Sequence, residues 1–382
     1  MKVYVYPADF YGCGHYRSVW PAMAVGQQFD DMDVMIFPPG HPDGLSAVVA
    51  PDGKLMMATY PHDADLIVLQ RPTHNQLAQC VPWLRDRGVA VVVDIDDDLG
   101  AVHPSNPAWL WMHPKTSTVH NWKNVAQACR DATVTTVSST SLQQRYGRNP
   151  VLLPNCIPEI YLTVPHEDSD VIAWAGSLHS HPEDMKPLGA AIRRLTDDGA
   201  KFMVVGNGEG GRHHLNLVED PPYTGPIDFG QWISAVTQIG IGIAPLQDTR
   251  FNDAKSWLKP LEYSAVGVPW VASPRAEYVR LHKQGVGFMA DRWRDWERHL
   301  RTLRSSPALR AEQGEAGREV ARKWTYEANA WRWAEVWRHA VEIEHSTNRP
   351  GRTRSDQEPM PGSFRSLLEG GTGEPTRPGG QG

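Results

Sequence analysis

Four acids, Asp94, Asp96, Asp97 and Asp98, close the apolar stretch in VVVDIDDDLGAVHP. Carboxylates at that density hold a divalent cation, orient or deprotonate an acceptor hydroxyl, or lie in a solvated loop; four of them cannot be buried unpaired. A second group lies in FNDAKSWLKPLEYSAVGVPWVAS, where Lys255, Ser256, Lys259 and Glu262 have spacings that bring several of them to one face of a helix. Cations near a helix N-terminus oppose its dipole, so this row is either an ordinary solvated one or the holder of an anion such as a diphosphate. Glu262, two turns in, is placed to accept hydrogen bonds from a ribose diol. A third group is YGCGHYRSVWPAMAV: Gly12 and Gly14 permit close backbone approach, His15 adds a proton carrier and Arg17 a fixed positive charge. The plainer reading there is a tight turn with a satisfied histidine. In WAGSLHSHPEDMKPL, Gly176 and Ser177 again suit an anion resting at a helix N-terminus. His179 and His181 are two apart and do not share a helix face, so no zinc site is expected. The glycines of VVGNGEGGRHH form either a further binding loop or a flexible turn.

These groups sit where strands end. Apolar, β-branched runs at 3–6, 33–37, 66–69, 89–94 and 133–137 have strand length and the continuous hydrophobicity of strands buried on both faces. Helical stretches separate them, which is the pattern of parallel α/β construction. A second series follows at 171–175, 202–205, 239–244, 270–272 and 287–289, with helices expected at 188–196 and 255–266. Ligands of such sheets bind beyond the carboxyl ends of the strands. Pro154, Asn155, Pro158 and the polar stretch 165–170 break the series and place a boundary, giving an N-terminal Rossmann-like unit (1–165) and a C-terminal one (166–324). A terminal helix (325–345), capped by Thr325 and carrying Trp331, Trp333 and Trp337 as core residues, is expected to dock back. The Gly- and Pro-rich stretch 346–382 is expected to be disordered.

Length and charge narrow the field. The chain has 382 residues, enough for two cores, with a formal charge of −6 and a pI of about 6.2. That argues against a protein whose main task is coating nucleic acid, although 275–310 holds nine Lys or Arg against four Asp or Glu, a basic patch or a solvated helix face. No apolar run spans a membrane, no secretory signal opens the chain, and the four cysteines show no C-x-x-C pair, so a cytoplasmic location is expected.

The segment FNDAKSWLKPLEYSAVGVPWVAS, with PNCIPEIYL, GCGHYRSVWPA and WAGSLHSHPED, resembles glycosyltransferases of the two-Rossmann GT-B fold. The likeness is to the large retaining glycosyltransferase family 4 and its relatives in tailed bacteriophages and actinobacteria, and it covers about residues 1–345. It implies a nucleotide-diphosphate sugar donor held mainly by the C-terminal unit, an acceptor held by the N-terminal one, and no cofactor or metal. On that likeness Glu262 binds the donor ribose, Lys255 and Lys259 the diphosphate, and Gly12 and Gly14 lie against donor and acceptor. Arg17, Gly176, Ser177 and Ser256 join the donor site. Asp96 or Asp97 would orient the acceptor, and an inverting variant would use one of them, or His15, as general base. Trp109 and Trp111 are acceptor candidates. The family's first acid of its E-x7-E pattern falls at Ala254, with Asn252 or Asp253 as substitutes, which weakens the implied retaining outcome. A protein or glycan acceptor is expected ahead of a DNA base, and in a phage-encoded enzyme the site of action would be the host cytoplasm. The alternatives are a nucleotide-sugar binder that has lost turnover, in keeping with Ala254, and an epimerase or phosphorylase on the same fold.

Overall fold

The computed structural model describes residues 1–347 except Pro39, Pro42, Asp43, Asn149 and Pro182; the stretch 348–382, expected to be disordered, lies outside the described residues. Strands run in chain order as β1 (Lys2–Tyr6), β2 (Asp33–Ile36), a hairpin of β3 (Ser46–Val49) and β4 (Leu55–Thr59), β5 (Leu66–Gln70), β6 (Ala90–Ile95), β7 (Val134–Val137) and β8 (Pro150–Leu152). Apart from the hairpin they form one parallel sheet in the order β2-β1-β5-β6-β7-β8. Its register sets Val5 beside both Ile36 and Val68, and Val92 beside Val134, so branched side chains stack across the sheet. The central strands β5 and β6 are buried along their whole length, which is why their sequences are apolar without alternation.

Two elements escaped the sequence reading. The hairpin packs on the helix Asn75–Arg85, and Asn75 Nδ2 donates to Gly53 O at 2.8 Å in its Pro-Asp-Gly turn. Strand β8 has three residues and opens with Pro150, tolerated because β8 is the sheet's edge.

The second parallel sheet contains β9 (Ile172–Ser177), β10 (Phe202–Asn207), β11 (Ile241–Ala244), β12 (Trp270–Ala272) and β13 (Phe288–Met289), in the order β10-β9-β11-β12-β13. Helices Trp293–Ser305 and Pro307–Arg322 follow and bury Trp296, Leu300 and Leu303. Most of the cationic excess of 275–310 is spent here on the protein's own acids. With acids outside that stretch, Arg275 pairs with Asp248 at 3.2 Å, Arg301 with Asp198, Arg304 with Asp170 at 3.2 Å and Arg310 with Asp168 at 2.6 Å. These contacts favour the solvated helix face over a phosphate-binding patch for that stretch.

The last helix, Tyr326–Thr347, is capped by Thr325, whose Oγ1 accepts from Ala328 N at 3.1 Å. It returns to the first sheet. Glu344, fully buried, accepts from Arg85 Nε at 2.8 Å and Thr133 Oγ1 at 2.9 Å. Trp333 and Trp337 are buried against the same core as expected, and Trp331 is partly buried beside them. The two passages of the chain between the sheets touch: Ile157 N donates to Trp324 O at 3.0 Å, and Tyr326 N to Ile157 O at 2.9 Å.

Candidate active site

The carboxyl ends of both sheets converge on a small crevice. His103 and Asn106 line it from the first lobe, and Ser180, His181, Asp184 and Asn252 from the second. Asn106 Nδ2 donates across it to Ser180 O at 2.8 Å.

On the second lobe, the penultimate residue of β9, Gly176, has φ +146° and pairs with Gly206 of β10, which has φ +120°. A Cβ on Gly206 would lie 2.1 Å from Gly176 O, and one on Gly176 would lie 2.8 Å from the Trp174 ring and 3.3 Å from Lys259 Nζ. Only glycine fits at either position. Lys259 Nζ donates to Ala175 O and lies 4.8 Å from the centre of the Trp174 ring. Among the described residues no carboxylate stands within ion-pair distance of it, and desolvation pulls its pKa down to about 8 despite the attraction of Glu262.

Glu262 sits one turn after Lys259 on the helix Leu258–Val266 and is 4% exposed. Its Oε1 accepts from Tyr161 Oη at 2.8 Å, from Trp232 Nε1 at 2.7 Å and from Tyr16 Oη, which reaches over from the first lobe. Burial, and after it the Glu262 charge, pushes both phenols well above their ordinary range. Among the described residues Oε2 accepts no hydrogen bond, and it is not sealed from solvent. Glu262 thus keeps one oxygen for a hydroxyl partner. Tyr16, Tyr161 and Trp232 were not singled out in the sequence, because their neighbourhood is created by tertiary contact.

Lys255 and Ser256 depart from expectation. The helix begins only at Leu258, so both precede it in extended chain after the short turn Asn252–Ala254. Lys255 Nζ is bound to Asp97 Oδ1 at 2.8 Å, across the lobes, and Ser256 Oγ accepts from Asn155 Nδ2 at 3.0 Å. Ala254 is fully buried in the core of the first lobe's sheet, and its carbonyl accepts from Ser139 Oγ at 2.7 Å. Asn252 Nδ2 donates to Asp184 Oδ1 at 2.5 Å and to Gln247 O at 3.0 Å, while Asp253 is half-buried.

The acidic run is not a solvated loop. Asp94 is gripped by Arg17 through Nε at 3.0 Å and a terminal nitrogen at 2.7 Å, and by Thr136 at 2.6 Å. Asp96 and Asp97 share Arg71, and Asp98 accepts from Arg145 at 2.9 Å, Arg250 at 3.0 Å and Tyr146 at 2.9 Å. Burial raises Asp96, whereas for Asp97 the opposing pull of Lys255 and Arg71 outweighs burial and holds it below the usual range. Among the described residues no cluster of three His, Cys, Asp or Glu is arranged for a metal ion.

Arg17 is likewise corrected: it is buried, and its remaining contacts are Leu153 O at 2.7 Å and Asn155 Oδ1 at 2.8 Å, so it braces the first lobe instead of presenting charge to the crevice. The glycine loop is also self-satisfied. Asp9 Oδ1 accepts from Tyr11 N at 2.9 Å and Gly14 N at 3.1 Å, taking the place expected for a ligand anion, and a Cβ on Gly14 would lie 1.7 Å from Asp9 O. Gly12–Gly14 opens a helix that widens over His15–Val19 and continues as Trp20–Gln28; His15 Nδ1 lies 2.9 Å from Tyr11 O. After Gly176 and Ser177 comes a short turn, Leu178–Ser180, so no long helix aims its N-terminus there. Trp109 stacks on His113 with ring centres 3.6 Å apart, and Trp111 is 65% exposed.

No protein-family model matches the chain, and no curated protein matches it. Solved structures do. Sucrose-phosphate synthase from Thermosynechococcus elongatus is similar over 90% of this chain and 99% of its own, with a TM-score of 0.62 and 15% identity. Anabaena HepE, solved in complex with UDP and glucose, is similar over 89% and 100%, with a TM-score of 0.59 and 14% identity. A putative UDP-N-acetylglucosamine 2-epimerase from Listeria monocytogenes is similar over 92% and 99%, with a TM-score of 0.53 and 11% identity. Likeness at these identities speaks for architecture and leaves activity to the site. The chain has the GT-B fold, two Rossmann-like lobes meeting at one crevice with the last helix returned to the first.

Proposed function

We infer that the protein is a glycosyltransferase that moves a hexosyl group from a nucleotide-diphosphate sugar to an acceptor hydroxyl, without a metal ion and with retention at the anomeric carbon. The observation that carries this is Lys259: an ammonium against the Trp174 ring, which His181 of the crevice also meets, desolvated and without a carboxylate partner among the described residues, one helical turn from a carboxylate with a spare oxygen. Diphosphate against Lys259 and a ribose diol against Glu262 would answer both vacancies at once. The lysine supplies positive charge to the departing diphosphate, the service a divalent cation gives elsewhere. Lys255 can join it by exchanging Asp97 for phosphate. Gly176 lets donor backbone contacts come close, with Ser177 beside it.

In this reading residues 166–324 form the donor unit and 1–165 the acceptor unit, where Trp109 and the exposed Trp111 face a glycan or protein acceptor. DNA ranks lower, since the cationic excess of 275–310 is largely paired with acids elsewhere in the chain. Membership of the retaining family 4 group, a phage origin and a cytoplasmic site of action belong to the same proposal; among the described residues no helix is long and apolar enough to cross a membrane.

The similarity to the Listeria protein supports an epimerase as the second reading. Incubation with a panel of UDP-, GDP- and TDP-sugars separates them. Release of nucleoside diphosphate is expected of the transferase. An altered sugar with no release would select the epimerase, and tight binding with neither would select a binder.

A further inference from the structure

We propose that His181 is a catalytic residue of this chain, its Nε2 taking the proton from the acceptor hydroxyl during glycosyl transfer. The proposal rests on the transferase reading and names a group that reading did not contain.

The geometry begins at Asp184. Its Oδ2 lies 2.7 Å from His181 Nδ1, and its Oδ1 is held by Asn252 Nδ2 at 2.5 Å and Gln247 N at 3.2 Å. An ionised carboxylate only accepts hydrogen bonds, so Nδ1 carries the proton and Nε2 presents a lone pair. The ring is also fixed laterally, edge-on to Trp174 with centres 5.6 Å apart at 75°. Here Nε2 has no partner among the described residues and is not sealed, and the ring lines the crevice opposite His103 and Asn106.

The charges around it suit a base. Burial lowers the His181 pKa, and the nearby Lys255 and Lys259 lower it further, while Asp184 pulls the other way. Glu183 and His103 line the same crevice. The net direction leaves the imidazole neutral near pH 7 and ready to receive a proton. The two carboxylate bases suggested by sequence are less free: Asp96 is bound to Arg71, and Asp97 to both Arg71 and Lys255.

In the step itself, the bond from the anomeric carbon to the diphosphate oxygen breaks and its electron pair leaves on the nucleoside diphosphate. The acceptor oxygen forms the new bond to that carbon, and its hydrogen passes to His181 Nε2. The imidazolium, steadied by Asp184, then returns the proton to the departing phosphate or to water. Lys259 and His181 both contact the Trp174 ring, so the proton acceptor stands near the charge assigned to the leaving group, in keeping with retention.

The test uses the full chain with the same nucleotide-sugar panel and water as acceptor. Wild-type kcat is expected to rise with pH through an apparent pKa below about 6.5 and then level off, because only the neutral ring is active. His181→Gln should bind donor, followed by thermal shift, within about twofold of wild type, lose about 10²- to 10⁴-fold in kcat, and show no acid limb. Asp184→Asn should move that limb. A His181→Gln enzyme with kcat within about threefold of wild type and the same limb overturns the proposal. Should the variant not fold, a wild-type profile flat between about pH 5 and 7 overturns it as well. Wild-type protein that neither binds nor consumes any nucleotide sugar would fail earlier, at the transferase reading itself.

Discussion

Both lobes offer the crevice the same kind of surface, the carboxyl ends of parallel strands, yet they dispose of their polar groups in opposite ways. In the first lobe nearly every charge at those ends is answered internally: Arg17 by Asp94, Arg71 by Asp96 and Asp97, Arg145 by Asp98, and the helix N-terminus by Asp9. In the second, Lys259, Glu262 Oε2 and His181 Nε2 are left with unused capacity. Desolvated polar groups are costly when unsatisfied, so a satisfied cluster marks a brace and an unsatisfied one marks a place where something else supplies the partner.

The contrast can be broken by substitution. Arg17→Met leaves Asp94 buried beside Thr136 without its cation, and should cost about 3–5 kcal/mol in urea unfolding. Unchanged stability with lost donor affinity would return Arg17 to the ligand site and erase the difference between the lobes. Glu262→Gln replaces a charged acceptor by a neutral one, and donor affinity should fall by about 1.5–3 kcal/mol, measured by calorimetry. Full donor affinity in that variant would remove the ribose assignment.

Lys259→Met sharpens the comparison further. Apo stability should hold or rise, because folding depresses the lysine pKa and a charged Lys259 works against the folded state; donor affinity should drop by about 1–2 kcal/mol. The sign in pH follows. Free Lys259 loses its proton above about 8, and bound diphosphate favours the charged form, so wild-type affinity should decline as pH rises past that point, with proton uptake on binding. The methionine variant should lack both effects. The smallest change is expected at Trp111→Ala, below about 0.5 kcal/mol in stability for a side chain this exposed, with an effect confined to the KM of the acceptor.

The sheets were readable from sequence because strands buried on both faces are written as apolar runs, as in AVVVDI and IGIA. Elements resting on few residues were not: β8 has three, and the β3–β4 hairpin was signalled only by its Pro-Asp-Gly turn. For the site, the residue types around Glu262 and Lys259 pointed to an anion, but charge pairing is decided by tertiary contact. Nothing local tells that Arg17 meets Asp94, that Lys255 lies ahead of the helix and meets Asp97, or that three donors gather on Glu262. His181 and Asp184, three apart, were visible as residues; their shared role depends on a loop that sequence periodicity does not describe.

The hydrogen bonds that tie Ile157 to Trp324 and Tyr326 have a mechanical meaning. A lone tether lets two bodies swivel about any axis, whereas a doubled ribbon resists torsion and yields chiefly to bending. Any opening or closing of the crevice would therefore bend that strap sooner than twist it, with the terminal helix, tied to Arg85 and Thr133, carried by the first lobe. Cutting either band of that strap would leave only one connection to resist torsion between the lobes.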